Sequence, residues 1–456
     1  MAENSFDVIV IGGGPGGYVA AIRAAQLGKA TAVVEKDKAG GRCLNYACIP
    51  AKTMLHTAEV FDDAQNSADI GVKVTGAELD WEALGKRRTE VSAGLEGGVS
   101  GLFKNNKIEF IAGVGSLTAD GNVEVDGTTY EAGKVIIATG SVAQSIPGVE
   151  FGDRVLDTWG AWSLPEQPKS IAVVGAGASG SELASAYIRY GTDVKLIEML
   201  PQILPAEDKD AVRVVERTFK KQGIEISTGT PVENVEVGSD SVKFTYGDNS
   251  AEVDYLMIAG GRAPDVEALN LDAAGIKLGD DGKIEIDEYQ RTSKENIYAI
   301  GDIVRGPALA HKAMEEGIVA AGHASGEEVH PVNIDLVPGA TFCHPQVASV
   351  GLTEAQAKEQ GLDVKTGKFK LGGVGAGSVY DDRDGMVKLV VDKKYGEIVG
   401  AHIVGNRACD MIAELVAVMA LEGGNQELSF IMHPHPTISE AVLEASRAVD
   451  KWATHA

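Results

Sequence analysis

Two of the chain's four cysteines, Cys43 and Cys48, lie five positions apart, and their spacing suggests redox chemistry. In a regular helix this spacing would separate their Cα atoms by about 8 to 9 Å, whereas a disulfide requires roughly 4.4 to 6.8 Å. A bond between them would therefore need a loop or a distorted first helical turn. A permanent bond closing so short a loop would stabilise the chain by only about 2 kcal/mol, so a bond that opens and closes is preferred. The alternative is that both are buried and pack as small hydrophobic residues.

Two glycine-rich turns, each between a strand pattern and a helix pattern, could position a cofactor beside such chemistry. The first turn, residues 12–17, follows an apolar run and leads into an alanine-rich helix that extends to about residue 27. The second, residues 175–180, follows the run at residues 170–174 and leads into a helix to about residue 190. A strand, a Gly-x-Gly-x-x-Gly turn and a helix bind a dinucleotide pyrophosphate at the helix N-terminus. Glycines needed only for a tight turn are the alternative, but the agreement of all three elements favours two dinucleotide sites.

Each of these helices is followed by a strand pattern that ends on a carboxylate. The strand at residues 31–34 ends on Glu35 and the strand at residues 193–197 ends on Glu198. A carboxylate at this position can accept hydrogen bonds from a ribose. The three residues after Glu198 include no arginine to receive a 2′-phosphate, which the carboxylate itself would repel. The second turn is therefore predicted to bind NAD(H) rather than NADP(H).

A further candidate for cofactor binding is Asp302. Residues 292–302 are interpreted as a strand whose last residue is this exposed carboxylate. An acceptor at a strand end suits a hydroxyl-rich chain such as that of a flavin cofactor. The alternative is an ordinary aspartate that caps the following helix, and alone the motif would favour that alternative. With the first glycine turn present, FAD is preferred.

The composition excludes several classes of partner. A formal charge of −25 on 456 residues argues against binding to nucleic acid or an anionic membrane. The N-terminal residues lack the basic and apolar segments of a signal peptide, and no later apolar run reaches the length of a membrane span. The other two cysteines, Cys343 and Cys409, are far apart in sequence, which suits a reducing cytoplasm. A cytoplasmic protein without a metal site is therefore expected.

The segment at residues 40–52 resembles the redox-active disulfide of the pyridine nucleotide-disulfide oxidoreductases. Arg42, Ala47 and Ala51 stand where that family usually has threonine, glycine and a small hydroxyl residue. The resemblance extends over essentially the whole chain, and it implies an α/β fold with two Rossmann-like dinucleotide-binding domains and a C-terminal α+β dimerisation domain. The implied boundaries are 1–145 for the FAD-binding domain with the disulfide, 146–265 for the NAD-binding domain, 266–335 for the return to the FAD and central domain, and 336–456 for dimerisation.

The resemblance also assigns roles to matching residues. Cys43 would be the interchange thiol and Cys48 the thiolate that faces the flavin. Lys52 would lie near the flavin and pair with Glu182. The residues implied for FAD are Gly12, Gly14, Pro15, Gly17, Glu35, Lys52, Thr139, Gly140, Asp302 and Ala310, and those implied for NAD are Gly175, Gly177, Gly180, Glu198 and Gly261.

The sequence His-Pro-His-Pro at residues 433–436 is the last candidate motif. By the resemblance His435 is the acid/base contributed to the disulfide of the neighbouring subunit, and Glu440 orients it. Imidazole titrates near neutral pH, so it can take the proton that a thiol must lose. Glu440 also has capping-box spacing from Thr437, so a helix-start role is compatible. For His433 a packing role is preferred.

The activity implied by the resemblance is oxidation of dihydrolipoamide with NAD⁺ in a homodimer. The substrate would be attached to a lipoyl carrier protein of a 2-oxoacid dehydrogenase or glycine cleavage complex. One alternative is an NADH-dependent reductase of another disulfide. A second is a flavin-binding assembly subunit whose chemistry is incidental.

Overall fold

The computed structural model describes residues 4–455. Residues up to 144 contain seven strands and four helices, which are β1 (Ser5–Ile11), α1 (Pro15–Gln26), β2 (Thr31–Glu35), α2 (Gly41–Asn45), α3 (Cys48–Asn66), α4 (Trp81–Asn105), β3 (Glu109–Ala112), β4 (Gly115–Leu117), β5 (Val123–Val125), β6 (Thr128–Ile137) and β7 (Ser141–Ala143).

The second glycine turn lies in the part between residues 145 and 260. Its elements are β8 (Val155–Leu156), α5 (Thr158–Trp162), β9 (Ser170–Val174), α6 (Ala178–Tyr190), β10 (Asp193–Glu198), α7 (Lys209–Gln222), β11 (Glu225–Thr228), β12 (Val232–Val237), β13 (Val242–Tyr246), β14 (Asn249–Val253) and β15 (Tyr255–Ile258).

The remaining elements run from residue 261 to the C-terminus. They are β16 (Arg262–Pro264), α8 (Leu271–Ala274), β17 (Ile297–Ala299), α9 (Ala310–Ala324), β18 (Gly339–Thr341), β19 (Gln346–Gly351), α10 (Glu354–Glu359), β20 (Val364–Lys370), α11 (Gly375–Val379), β21 (Met386–Asp392), β22 (Ile398–Gly405), α12 (Ala408–Ala420), α13 (Asn425–Leu428) and α14 (Glu440–Val449).

Contacts divide the chain into two compact units. The first comprises the described residues up to Thr53 together with Glu82–Gln144 and Gly261–Ile334, and the second comprises Met54–Trp81, Ser145–Gly260 and the described residues from Asp335 onward. The four-part division expected from the sequence stays a prediction. Within residues 4–455, no helix is both long and apolar enough to cross a membrane.

The first unit is built on a parallel sheet in the order β3-β2-β1-β6, with β17 also pairing with β6. Residues 8–11 of β1 are buried, as expected for a parallel strand that is covered on both faces. Helix α1 packs on the sheet through Ala20, Ala21 and Ala24, whose small side chains allow a close approach. The turn between β1 and α1 is thereby fixed at the carboxyl edge of the sheet, where ligands bind in open α/β folds.

The second unit repeats this arrangement and adds an antiparallel sheet. Strands β11-β10-β9-β15-β8 are all parallel, and the C-terminal strands β18-β19-β22-β21-β20 are all antiparallel. Alternate residues of β21, including Val387 and Leu389, pack in one core with helices α12 and α14. The expected α/β fold with two Rossmann-like regions and a C-terminal α+β part is confirmed.

A buried ion cluster links α7 to the other face of the C-terminal sheet. Lys388, which is 2% exposed, lies 2.9 Å from Asp208, 2.8 Å from Asp210 and 2.9 Å from Glu354. Its neighbour across the strands, His402, is also buried. The pKa of Lys388 is raised because its hydrogen bonds to the carboxylates outweigh the opposing effect of burial. The cluster therefore fixes the N-terminus of α7 to β21.

Candidate active site

A cavity of about 300 Å³ opens at the carboxyl edge of the first sheet. It is lined by residues of the first glycine turn, by the cysteine segment, and by the ends of β2, β6 and β17. The lining includes the sequence-predicted residues Gly14, Pro15, Glu35, Cys43, Cys48, Thr139, Gly140, Asp302 and Ala310. The structure thus brings together residues that are separated by almost 300 positions in the sequence.

The first glycine turn has the backbone geometry of a phosphate-binding turn. Gly12 has φ +106°, and a Cβ atom at Gly17 would collide with the carbonyl oxygen of Gly12. At Gly14, by contrast, a Cβ would have no atom of the described residues within 4 Å. The N-terminus of α1 begins directly after Gly14 and faces the cavity, so an anionic group could approach the backbone there.

The carboxylate of Glu35 is held by the turn that it supports. Its Oε2 accepts a hydrogen bond of 2.7 Å from the Gly13 N–H, and its Oε1 accepts one of 2.9 Å from the Asp37 N–H. These bonds leave lone pairs on both oxygens for a ribose. Glu35 therefore stabilises the turn and can also accept a hydrogen bond from a ligand at the edge of the cavity.

These residues fit a dinucleotide such as FAD. The Thr139 Oγ1 atom is buried in the cavity wall and has no hydrogen-bond partner among residues 4–455. A buried polar atom of this kind calls for a ligand or a water molecule. Together with the open space at Gly14 and the α1 N-terminus, it provides polar contacts for a phosphate and a sugar along one cavity.

The cysteine segment lies against the glycine turn because Gly40 and Gly41 permit it. The Gly40 N–H donates a 2.9 Å hydrogen bond to the Gly13 carbonyl, and a Cβ at Gly41 would lie 2.6 Å from the Gly14 Cα. Helix α2 ends at Asn45 and α3 begins at Cys48, so the two cysteines are separated by a helix break. This is the distortion that the spacing analysis required.

The side chains of Cys43 and Cys48 lie within hydrogen-bonding distance of each other across this break. The pKa of Cys43 is raised, first by its hydrogen bond with the Cys48 side chain and then by burial, and Lys52 opposes the rise. Lys52 lies one helical turn after Cys48 in α3, and its positive charge favours a thiolate in the pair.

The secondary structure and the exposure of Asp302 differ from those predicted from the sequence. The prediction of a strand that runs to an exposed Asp302 is wrong, because β17 ends at Ala299 and a short 3₁₀ turn, Gly301–Ile303, carries this aspartate. Its carboxylate is only 20% exposed, accepts a hydrogen bond from the Ser141 hydroxyl and lies 3.5 Å from the Arg262 guanidinium. The side chain faces the cavity rather than bulk solvent.

Arg262 is a cavity residue that the sequence analysis missed. Its Nε donates to the Ser141 hydroxyl at 2.6 Å and its Nη2 donates to the Ser141 carbonyl at 3.0 Å. Burial lowers the pKa of its guanidinium, while Asp302 raises it and Arg42 lowers it. Positive charge is thus concentrated in the cavity wall beside the cysteines. The only feature of the sequence that could have indicated this residue is its position directly after Gly261.

The second glycine turn reproduces the first in the second unit. Gly175 has φ +96°, and Gly177 is open in the same way as Gly14. Glu198 is 6% exposed, its Oε2 accepts a 2.7 Å hydrogen bond from Ala176 N–H, and its Oε1 accepts one of 3.0 Å from Leu200 N–H. A second dinucleotide can therefore bind at the N-terminus of α6.

Three other predicted residues occupy distinct positions. Lys52 lies in α3, and Gly261 precedes β16 and accepts a hydrogen bond from the Gln144 N–H. Glu182 is buried in α6, where its Oε1 accepts a 2.9 Å hydrogen bond from the Phe342 N–H. The pairing of Lys52 with Glu182 and the role of Gly261 in NAD binding stay predictions.

His435 and Glu440 form a hydrogen-bonded pair in the second unit. The Nδ1 atom of His435 lies 2.9 Å from Glu440 Oε1, and the histidine side chain is 74% exposed. Burial would raise the pKa of Glu440, but the Thr437 N–H and the His435 ring hold it below its ordinary value. Glu440 begins α14 and accepts a 2.9 Å hydrogen bond from Thr437 N–H, which is half of the expected capping box. The Thr437 hydroxyl instead donates to the Pro434 carbonyl.

His433 has a more specific environment than the packing role expected for it. Its Nε2 lies 2.7 Å from Glu414 Oε1 and its Nδ1 lies 3.1 Å from the Ile431 carbonyl. Both partners are acceptors, so the imidazolium form of the ring, which has two N–H donors, is the form that they favour. The Glu414 hydrogen bond raises the pKa of His433 accordingly. This ion pair fixes the start of the segment that carries His435.

Comparison with known proteins finds similar sequences along nearly the whole chain. Residues 6–317 match the family described as pyridine nucleotide-disulphide oxidoreductase, and residues 337–446 match the dimerisation domain of that family. The chain is 42% identical to a dihydrolipoyl dehydrogenase of Rhizobium etli over 98% of each protein. It is 41% identical to one of Geobacillus stearothermophilus over 96% of this chain and 95% of the relative. The crystal structure of LpdA from Mycobacterium tuberculosis is also similar, with a TM-score of 0.90 and 26% identity over 96% of this chain and 99% of that chain.

Proposed function

The chain belongs to the pyridine nucleotide-disulphide oxidoreductase family, and from this premise we propose that it oxidises dihydrolipoamide with NAD⁺ through FAD and a Cys43–Cys48 disulfide. One observation carries the proposal. Both cysteines line the cavity that contains the first glycine turn and Asp302. A redox pair in the wall of a cofactor-sized cavity can exchange electrons with the cofactor without a further carrier.

The proposed first half-reaction is a disulfide exchange. A thiolate of dihydrolipoamide attacks Cys43 Sγ, the Cys43–Cys48 bond breaks, and Cys48 leaves as a thiolate. The second substrate thiol then loses its proton and attacks the substrate sulfur of the mixed disulfide, which releases Cys43 and closes the lipoamide disulfide. The substrate loses two electrons and two protons, of which one proton goes to His435 and the other to Cys43. The hydrogen bond with Cys48 and burial raise the pKa of Cys43, which supports the assignment of this proton to Cys43.

His435 is proposed as the base for this exchange, acting on the cysteine pair of the partner subunit. The hydrogen bond from Nδ1–H to Glu440 selects the tautomer in which Nε2 carries the lone pair. Glu440 also favours the imidazolium that forms when Nε2 takes a proton. The exposure of the ring supports a role toward a group that is not part of its own unit.

When bound, FAD supplies the two-electron carrier between the dithiol and NAD⁺. The chain's own contribution is to bind and orient the two nucleotides. The N-termini of α1 and α6 would hold the two pyrophosphates, and Glu35 and Glu198 would accept hydrogen bonds from the riboses. Asp302 and Thr139 would offer polar contacts to the rest of the flavin cofactor.

We propose that the chain forms a homodimer, since residues 337–446 match the dimerisation domain of this family. We propose that dihydrolipoamide reaches it on a lipoyl carrier protein of a 2-oxoacid dehydrogenase or glycine cleavage complex, in the cytoplasm. The relatives named dihydrolipoyl dehydrogenase support this substrate class. A thiol-based cycle also suits a reducing compartment.

The test is NAD⁺ reduction by the FAD-loaded protein with dihydrolipoamide as the donor. Fast turnover that disappears in Cys48→Ser, with FAD still bound, is the expected result. Negligible turnover of the unmodified protein, together with flavin reduction by NADH, would refute the substrate and favour a reductase of another disulfide. Unchanged turnover in Cys48→Ser would refute the disulfide mechanism itself.

A further inference from the structure

An ion pair is completely buried behind the cavity, outside the groups assigned to the reaction. Lys312 and Glu316 lie one turn apart in α9, each side chain is 1% exposed, and Lys312 Nζ lies 3.0 Å from Glu316 Oε1. Burying two charges is expensive, and the attraction between them offsets the loss of hydration only with excellent geometry and additional hydrogen bonds. Such a pair in a core therefore needs a specific explanation.

The additional hydrogen bonds are made to a single residue, Gly301. The Gly301 N–H donates to Glu316 Oε2 at 2.7 Å, and Lys312 Nζ donates to the Gly301 carbonyl at 3.0 Å. The N–H, the carboxylate, the ammonium and the carbonyl thus form a closed ring of hydrogen bonds. Gly301 has φ +82°, a conformation that the ring holds from both sides of the residue.

An apolar pair could not replace this ring without a penalty. Hydrophobic residues of similar volume would fill the space, but they would leave the buried N–H of Gly301 without its Glu316 partner and its carbonyl with only the 3.3 Å hydrogen bond from the Val304 N–H. This differs from the general case, in which exchanging a buried ion pair for hydrophobic residues is neutral or stabilising. The ring therefore acts on the backbone at Gly301 rather than on the core.

Gly301 directly precedes Asp302, whose carboxylate lines the cavity and contacts Ser141 and Arg262. We propose that Lys312 and Glu316 are positioning residues that hold Gly301 so that the Asp302 carboxylate faces the bound FAD. The proposal rests on the proposed function in that FAD is the ligand of this cavity. It predicts that the effects of the buried pair and of Asp302 on FAD affinity are not additive. A pair that only stabilises the fold would show no such coupling.

The experiment measures FAD affinity, by flavin fluorescence, in a double-mutant cycle. The variants are Lys312→Met/Glu316→Leu, Asp302→Asn and the combination of the two. We expect Asp302→Asn and the double variant each to weaken FAD binding about tenfold or more, as loss of a hydrogen bond to a charged group does. The combined variant should be little weaker than either, because the pair acts through Asp302. If the losses instead multiply, the pair acts independently of Asp302 and the inference is overturned.

Two further variants of the chain serve as a conservative substitution and as a control for this test. Glu316→Gln preserves side-chain size but places an amide N–H₂ toward either Lys312 or Gly301, so it should show the same coupling even if the larger replacement does not fold. The exposed pair Glu216 and Lys220 in α7 is also one turn apart, and Glu216→Leu/Lys220→Met should leave FAD affinity unchanged. If Asp302→Asn alone has no effect on FAD affinity, the role of Asp302 fails and this inference fails with it, whereas NAD⁺ reduction would still test the proposed function.

Discussion

Replacing Glu198 by glutamine tests whether this carboxylate sets the preference for NAD(H). The side chain lies at the end of β10, is 6% exposed, and accepts hydrogen bonds of 2.7 and 3.0 Å from two backbone N–H groups. Glutamine keeps the size of the side chain and one acceptor oxygen, so the turn retains one of those bonds. The charge that would repel a 2′-phosphate is removed.

The expected magnitude follows from the loss of charge repulsion, because the other consequence of the substitution cancels in the ratio between the two nucleotides. At about 4 Å and an effective dielectric constant of about 20, two unit charges interact with about 4 kcal/mol, and screening by salt reduces this near the surface. Loss of one charge-assisted hydrogen bond to the turn would cost about 1.5 to 3 kcal/mol, but it affects both nucleotides equally. We therefore expect kcat/KM for NADPH relative to NADH to rise by about 10- to 100-fold, since each 1.4 kcal/mol is a factor of ten.

The assay is lipoamide reduction by NADH and by NADPH, with kcat/KM measured for each nucleotide. Glu35 provides a matched control, because it locks the first turn through bonds of 2.7 and 2.9 Å to Gly13 and Asp37. Glu35→Gln should weaken FAD retention and leave the nicotinamide preference unchanged. An unaltered ratio in Glu198→Gln, or an equal change in both variants, would refute the reasoning.

Three further substitutions test other parts of the molecule. His435→Gln should lower turnover by about 10² to 10⁴-fold while flavin content and dimer mass are retained, and near-normal turnover would exclude it as the base. The Glu414 hydrogen bond raises the pKa of His433, so its stabilising effect is complete below the usual imidazole pKa and is lost as the pH rises through the raised value. His433→Gln should therefore remove a fall in unfolding temperature that begins as the pH rises above the ordinary imidazole pKa of about 6.5, and an unchanged pH profile would contradict this. Lys388→Met should destabilise the fold by about 3 to 5 kcal/mol in denaturant unfolding because it leaves the buried Asp208 carboxylate without its ammonium partner, whereas Lys393→Met, in an exposed pair, should have little effect.

The nucleotide-binding regions could be predicted closely because local and long-range forces agree there. The apolar run interpreted as a strand at residues 7–11 lies in β1 (Ser5–Ile11), and the helix expected to end near residue 27 is α1 (Pro15–Gln26). A central parallel strand is buried on both faces, so its sequence is continuously apolar and easily recognised. The role of Glu35, the acidic residue at the end of the next strand, could then be predicted from the chemistry of ribose binding.

Other features could not be predicted because they depend on residues far apart in sequence. A packing role was predicted for His433 because Glu414, whose hydrogen bond raises the pKa of the ring, is 19 positions away in sequence. Lys388 occupies a strand position that would be expected to face solvent. It is surrounded by carboxylates only because α7 and α10 pack against this side of the sheet. The strand predicted at residues 292–302 ends at Ala299, before Gly301, which takes a positive φ and is hydrogen-bonded to Lys312 and Glu316.

The residues of the cysteine segment that differ from the family pattern change the charge near the two thiols more than they change the position of the thiols. Gly41 approaches the Gly14 backbone so closely that any side chain there would separate the segment from the turn, and the Gly40 N–H bonds the same turn. The distance between the thiols and the cofactor cavity is therefore set by backbone contacts. Arg42 adds a guanidinium to a wall that already contains Arg262, and positive charge beside a thiolate favours the reduced pair. Arg42→Thr should consequently leave the cysteines in place and shift the reduction potential of the pair to a lower value, which a redox titration against glutathione would measure, and an unchanged potential would show that Arg42 does not act on the thiolate.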